Sequence, residues 1–279
     1  MKFKIIHESN YTFSTEVYLE PHLLRLKPKS TSFCFLDSFN LQIFPKPSGI
    51  REQMDAENNT ICFTWFDSKT KELTIRASSI ITISDYNPFS FIIYPSDYFT
   101  IPFQYDKELS LLLHASLQKT TIDQGLKDYT DKILKKSNTT LDFLINLTKE
   151  IHSDFDLYYR HEGSPFEPNK TFTLKKGSCR DLAWMQIQIL RNINVAARFV
   201  SGYYYIEVEN PSYELHAWTE VFIPGAGWIG LDPSYGIVTG NTHIPLASSA
   251  HYKNTMTVTG TVRGDAVSEL NTNLHIEVL

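Results

Sequence analysis

The chain changes its hydrophobic period near residue 100, and that change narrows the folds open to it. Before it, strand-forming residues come in short runs: 3–13, 17–26 broken by Pro21, 33–44 alternating in part, then 61–66 after an Asn58-Asn59 turn, 73–76 and 80–83. Short strands between Pro, Asn and Asp breaks predict a β-sandwich. Pro88, Pro95 and Pro102 then punctuate a loop-like stretch, which marks a domain boundary. After it the period turns helical. Leu109, Leu112, Leu113 and Leu117 mark one helix, and Ile122, Leu126, Tyr129 and Ile133 a second. Leu141, Leu144, Ile145, Thr148 and Ile151 mark a third, with Thr139 or Thr140 as its cap. A fourth begins at Cys179, strands return from Arg198, and the tail has strand-like pieces at 256–262 and 274–279. The expectation is an α+β chain with a β-sandwich over 1–100 and a mixed unit over 101–279.

Composition excludes several classes of function. Lys plus Arg is 26 against 31 for Asp plus Glu, a net charge of −5, so nothing draws the chain generally to nucleic acid or anionic lipid. No apolar run reaches the roughly 20 residues that span a bilayer, and the start turns polar too early for a signal peptide. Three cysteines make no disulfide framework, and an odd count leaves a thiol free. The expected setting is cytoplasmic, with no membrane and no nucleic-acid partner.

One of those thiols stands apart. Ser178-Cys179-Arg180-Asp181 fits the Ser-x-x-Asp/Glu pattern of a helix N-terminus, and Leu182, Met185, Ile189 and Ile193 continue it as an apolar stripe. Cys179 therefore sits in the first turn of a largely buried helix. Unpaired amide N–H groups and the positive end of the helix dipole surround it. They favour the reactive thiolate and can receive a developing oxyanion. Cys34 and Cys62 lie in the strand region without such context and read as core thiols.

A base and its orienting group follow. His216 opens an alternating run to Ile223, Pro224-Gly225-Ala226-Gly227 signals a turn, and Trp228 to Asp232 returns, which makes a hairpin. Pairing Phe222 with Trp228 sets Trp218 opposite Asp232 and leaves His216 on the diagonal, about 7–8 Å away between Cβ atoms. An imidazole and a carboxylate reach each other over that distance. The other histidines, among them His7, His22, His152, His161 and His243, have no comparable setting. No Cys-x-x-Cys or His-x-x-x-His pair supports zinc, so neither metal nor cofactor is expected. Cys179, His216 and Asp232 thus form a nucleophile, a base and a base-orienting group. Trp184, Trp218 and Tyr203 are the expected substrate-contact residues, with plain core packing as the competing assignment.

Four segments carry a family resemblance: Gly177-Ser178-Cys179-Arg180-Asp181-x-Ala183-Trp184, Ala196 through Tyr203, His216-Ala217-Trp218-x-Glu220-Val221, and Gly230-Leu231-Asp232-Pro233, continued by His243 through Ala247. Together they resemble the bacterial transglutaminase-like superfamily, whose members are also described as candidate cysteine proteases. The first hundred residues resemble the region that precedes this core in those proteins. The resemblance implies a papain-like core, helices packed on an antiparallel sheet, behind the N-terminal β-sandwich. It also implies an acyl-enzyme on Cys179, formed from a peptide or protein amide, with no metal required. Papain-type enzymes take a second oxyanion donor from an upstream Gln and animal transglutaminases from an upstream Trp. Here the last such residues are Gln124 and Trp65, which leaves Tyr158 or Tyr159 as candidates. Hydrolysis and transfer to an amine both remain open, as does a non-catalytic binding module that keeps the fold. A sandwich that recruits a partner is a third reading, compatible with catalysis.

Overall fold

A computed structural model of the chain describes residues 1–160, 163–208 and 213–279. His161 lies outside them. The N-terminal strands are β1 (Lys2–Leu19), β2 (His22–Leu24), β3 (Cys34–Phe44), β4 (Gly49–Met54), β5 (Thr60–Trp65) and β6 (Lys69–Ile83). A largely helical stretch follows: α1 (Lys107–Leu112), α2 (Gln124–Lys135), α3 (Thr140–Asp154), β7 (Asp156–Leu157), α4 (Pro168–Leu174), β8 (Lys176–Gly177) and α5 (Cys179–Asn192). Then come β9 (Ala197–Tyr204), β10 (Leu215–Ile223), β11 (Gly227–Asp232), β12 (Ile237–Val238), β13 (His243–Ser249), β14 (Val258–Thr259), β15 (Val262–Arg263) and β16 (Ser268–Val278). The fold is α+β, and among the described residues no helix is long and apolar enough to cross a membrane.

Two antiparallel sheets form the sandwich. In one, β1 lies between β6 and the pair β15 and β16, with β3 beyond β6; the other runs β14-β2-β5-β4. Alternation along β1 buries Phe3, Ile5, Phe13, Val17 and Leu19, as period two requires of a strand with one covered face. The far half of that face packs inside the sandwich with Leu24, Leu73 and Ile75, while Phe3 and Ile5 pack against Tyr203, Ile244 and Leu246 of the second unit. The outer strands leave Phe35, Phe44, Ile50 and Trp65 exposed.

One expectation changes here. Sequence composition places everything after residue 100 in the second unit, but β16 pairs with β1 from Phe3↔Val278 to Phe13↔Ser268, and β14 pairs with β2. The tail therefore completes the sandwich. Alternating Leu274 and Ile276, both buried, supply the apolar side chains that β1 needs as a neighbour.

The second unit is a five-stranded antiparallel sheet, ordered β12-β11-β10-β9-β13, with α5 packed on β10 and β9. From Leu182 to Arg191 every residue of α5 is buried. Its buried polar residues Gln186, Gln188 and Arg191 each make a hydrogen bond, and α2, α3 and α4 wrap it. Thr139 caps α3 by accepting from the Asp142 amide at 3.0 Å. Edge strand β13 is covered by the sandwich. Asn59 brackets Ser248, donating to its carbonyl at 2.9 Å and accepting from its amide at 2.8 Å, and the Lys29 amide donates to the Pro245 carbonyl at 2.8 Å.

Candidate active site

The nucleophile's placement follows from its helix start. Asp181 Oδ2 accepts from the Ser178 amide at 2.8 Å and from Ser178 Oγ at 2.7 Å, so the acid three residues in reaches back to the cap. Asp181 Oδ1 accepts from Arg160 Nη2 at 2.6 Å and from the Phe166 amide at 2.7 Å. This buried carboxylate is thus saturated and ties Arg160 and Phe166 to the helix. Arg180 Nη2 donates to the Arg160 carbonyl. Gly177 is needed for the approach, since a Cβ there would lie 2.8 Å from that of Asp181. Cys179 opens α5 half-buried, with an amide N–H that has no carbonyl one helical turn behind it.

The hairpin sets the base and the acid. Phe222 pairs with Trp228, the register expected from the turn signal. His216 Nε2 donates to Asp232 Oδ2 at 2.7 Å. That bond consumes Nε2, which leaves Nδ1 as the second ring nitrogen, and Cys179 adds to the pull on the imidazolium. Burial disfavours the imidazolium, but the Asp232 carboxylate and the Cys179 contacts outweigh it and raise His216 above the ordinary histidine range. Burial likewise pushes Asp232 up, yet the His216 charge and hydrogen bonds from two imidazoles hold it well below the usual carboxylate range. Asp232 Oδ1 accepts from the Ser234 amide at 2.9 Å.

The second imidazole is His243, a residue to which the sequence assigns no role. Its Nε2 donates to Asp232 Oδ2 at 3.0 Å, and burial lowers its pKa and keeps it neutral. The signal that would find it is non-local. His243 pairs with Tyr204, and β9 in turn pairs with β10.

His216, Asp232 and His243 bring their ligand-capable atoms within 4.8 Å of one another. A tetrahedral zinc with bonds near 2.0 Å would spread such atoms about 3.3 Å apart. The observed 2.7 and 3.0 Å are hydrogen-bond lengths, and both imidazoles direct protonated nitrogens at the same oxygen.

Cys179 and His216 open onto a cleft. Leu157, Tyr159, Tyr204, Ile206, Tyr213 and Tyr235 line it. Trp184, Trp218 and Tyr203, the expected substrate-contact residues, do not: all three are buried. Tyr203 donates towards His7 Nδ1 at 3.0 Å in the interface with the sandwich. Trp184 packs against His251 and Tyr252. Trp218 lies edge-on to His243 at 5.2 Å and stacks behind His216. Parity explains the correction at Tyr203. Gly202 opposes His216, so Tyr204 shares the His216 side of β9 and Tyr203 takes the other. Gly202 also makes room for the indole, since a Cβ there would lie 2.6 Å from Trp218 Cη2. Of the two tyrosine candidates for an oxyanion donor, Tyr159 lines the cleft. Tyr158 carries Lys176 over its ring instead. Parallel pairing of β7 with β8 and a bond from the Tyr158 amide to the Gly177 carbonyl bring this segment beside the nucleophile.

Comparison with known proteins agrees with this architecture. Residues 3–82 match the bacterial transglutaminase-like N-terminal region, and residues 127–233 match the transglutaminase-like superfamily. A solved structure of a candidate cysteine protease from Cytophaga hutchinsonii superposes with a TM-score of 0.75 at 19% identity, covering 99% of this chain and 90% of that one. An uncharacterized protein of Mycobacterium tuberculosis is 22% identical over 271 residues, 90% of this chain and 84% of its own length. A protein-glutamine gamma-glutamyltransferase of Pseudomonas aeruginosa is 32% identical over 74 residues, 24% of this chain and 11% of that protein. The family membership supports cysteine-type catalysis in general. The chain belongs to the transglutaminase-like superfamily, with the bacterial N-terminal region of that family ahead of the core.

Proposed function

We propose that the protein transfers the acyl group of a peptide or protein amide through a thioester on Cys179. Cys179 Sγ attacks the carbonyl carbon, and the amide N–H at the start of α5 receives the oxyanion. Protonated His216 gives its proton to the nitrogen as the C–N bond breaks. Water or a second amine then attacks the thioester, returning its proton to His216 and the thiolate to Cys179. Asp232 holds the ring and stabilises its cationic form throughout. The observation that carries this reading is the 2.7 Å bond from His216 to a buried Asp232, with the same imidazole and Cys179 lining one open cleft.

Tyr159, Tyr204, Tyr213 and Tyr235 suit a peptide chain with bulky apolar side chains next to the reacting amide. A reducing, cytoplasmic setting belongs to the same reading, supported by three unpaired cysteines. Incubating the protein with a peptide library and a labelled primary amine tests it. Label incorporation identifies acyl transfer, and cleavage without incorporation identifies hydrolysis. A library left intact and unlabelled overturns the proposal.

A further inference from the structure

Asp232 serves two imidazoles through one oxygen, and only one of them reaches the nucleophile. We propose that His243 is a positioning residue, donating its Nε2–H to Asp232 Oδ2 so that the carboxylate stays in the orientation that serves His216. The inference rests on the triad reading above and adds to it a fourth group and a role for the N-terminal sandwich.

His243 is fixed on every side. Its Nδ1 lies 3.4 Å from Thr242 Oγ1. The Tyr204 ring lies 4.5 Å from its own, and Trp218 meets it edge-on at 5.2 Å. A neutral imidazole has one N–H, and opposite an ionised carboxylate that proton belongs on Nε2. The two histidines therefore divide the work: His216 carries the charge and His243 stays neutral. Two buried cations on one carboxylate would leave one of them without compensation. With Ser234 holding Oδ1, both oxygens of Asp232 are directed. The titratable groups facing this cluster are Cys179 at the start of α5, Tyr204 on β9 and Tyr235 after β11.

The strand that carries His243 is the one the sandwich grips. Ile244 and Leu246 pack with Phe3 and Ile5, the Pro245 carbonyl accepts from Lys29, and Asn59 brackets Ser248. The sandwich thereby holds one of the two groups that direct the catalytic carboxylate.

The test is the rate of Cys179 alkylation by iodoacetamide against pH, read by mass spectrometry on the full chain. It needs no substrate, so a protein that alkylates normally but turns over no peptide would overturn the proposed function and leave this inference standing. Without the Nε2–H bond the Asp232 carboxylate is free to turn from His216, and the imidazolium that supports the nucleophile loses part of its counter-charge. His243→Leu is therefore expected to move the acid limb upward and slow alkylation near pH 6 about tenfold. His243→Gln, whose amide nitrogen reaches the position of Nε2, is expected to stay within about twofold of wild type. A His243→Leu profile that superimposes on wild type overturns the proposal, as does a His243→Gln profile no better than that of His243→Leu. Should His243→Leu not fold, His243→Asn, too short to reach Asp232, takes its place, and equal profiles for Asn and Gln overturn the proposal.

Discussion

The three cysteines differ in what surrounds them. Burial pushes the Cys34 and Cys62 thiols up to about 11, where little thiolate forms near neutrality. Cys179 stands at a helix start, beside an imidazole and an open cleft. Iodoacetamide at pH 7 is expected to alkylate Cys179 before either of the others, and equal labelling of the folded protein would contradict that. Cys179→Ala is expected to cut turnover more than about a thousandfold. Its melting temperature should stay near wild type, because the thiol is only half-buried. A large fall in melting temperature would assign the residue to packing. At this scale the sequence reveals what local pattern encodes. Ser178, Cys179 and Asp181 announce a capped helix, and Pro224 through Gly227 fix the register that joins His216 to Asp232. The choice of Tyr204 over Tyr203 depends instead on Gly202 facing His216, across a link between strands too long for its turn residues to fix a register. His243 depends on a strand order, β10-β9-β13, that no local spacing records.

Among the elements, α5 and β13 bear most on the site, and they are secured differently. The helix is held mainly by its apolar residues, Leu182, Met185 and Ile189 among them, which is why its period is readable. Edge strand β13 adds to its apolar packing a set of polar side chains from the sandwich, chiefly Asn59, which also accepts from Lys29 Nζ at 3.0 Å. Asn59→Ala would leave the buried amide and carbonyl of Ser248 without partners, a loss of about 1–3 kcal/mol for each unsatisfied group. Urea denaturation is expected to show a fall in that range, and an unchanged midpoint would mean that β13 does not depend on the bracket. Asn58-Asn59 is legible in the sequence as a turn, but its docking on residues 248–250 is not, since a turn signal carries no information about its distant partner.

For the whole molecule, the junction between sandwich and sheet contributes to the response to acid, alongside the buried His22 and His243, whose pKa values burial also lowers. His7 lies inside it, between Tyr203 and Ser9, and burial lowers its pKa from 6.5 to about 4. The folded state therefore refuses a proton that the unfolded chain accepts below about 6.5. Stability from this group is complete above that pH and is lost as pH falls towards 4, by about 3 kcal/mol in all. His7→Gln is expected to flatten melting temperature against pH across that window. An unaltered slope would move the acid sensitivity elsewhere.

β1 and β16 pair along eleven positions, from Phe3↔Val278 to Phe13↔Ser268, although the whole second unit lies between them in the sequence. Until β16 arrives, β1 presents a bare, ladder-ready margin of the kind that invites pairing with another chain. Closing a contact of such long sequence separation is also slow. Copies refolding together are thus most exposed to mispairing before that ladder closes, and the yield of refolded protein should fall as concentration rises.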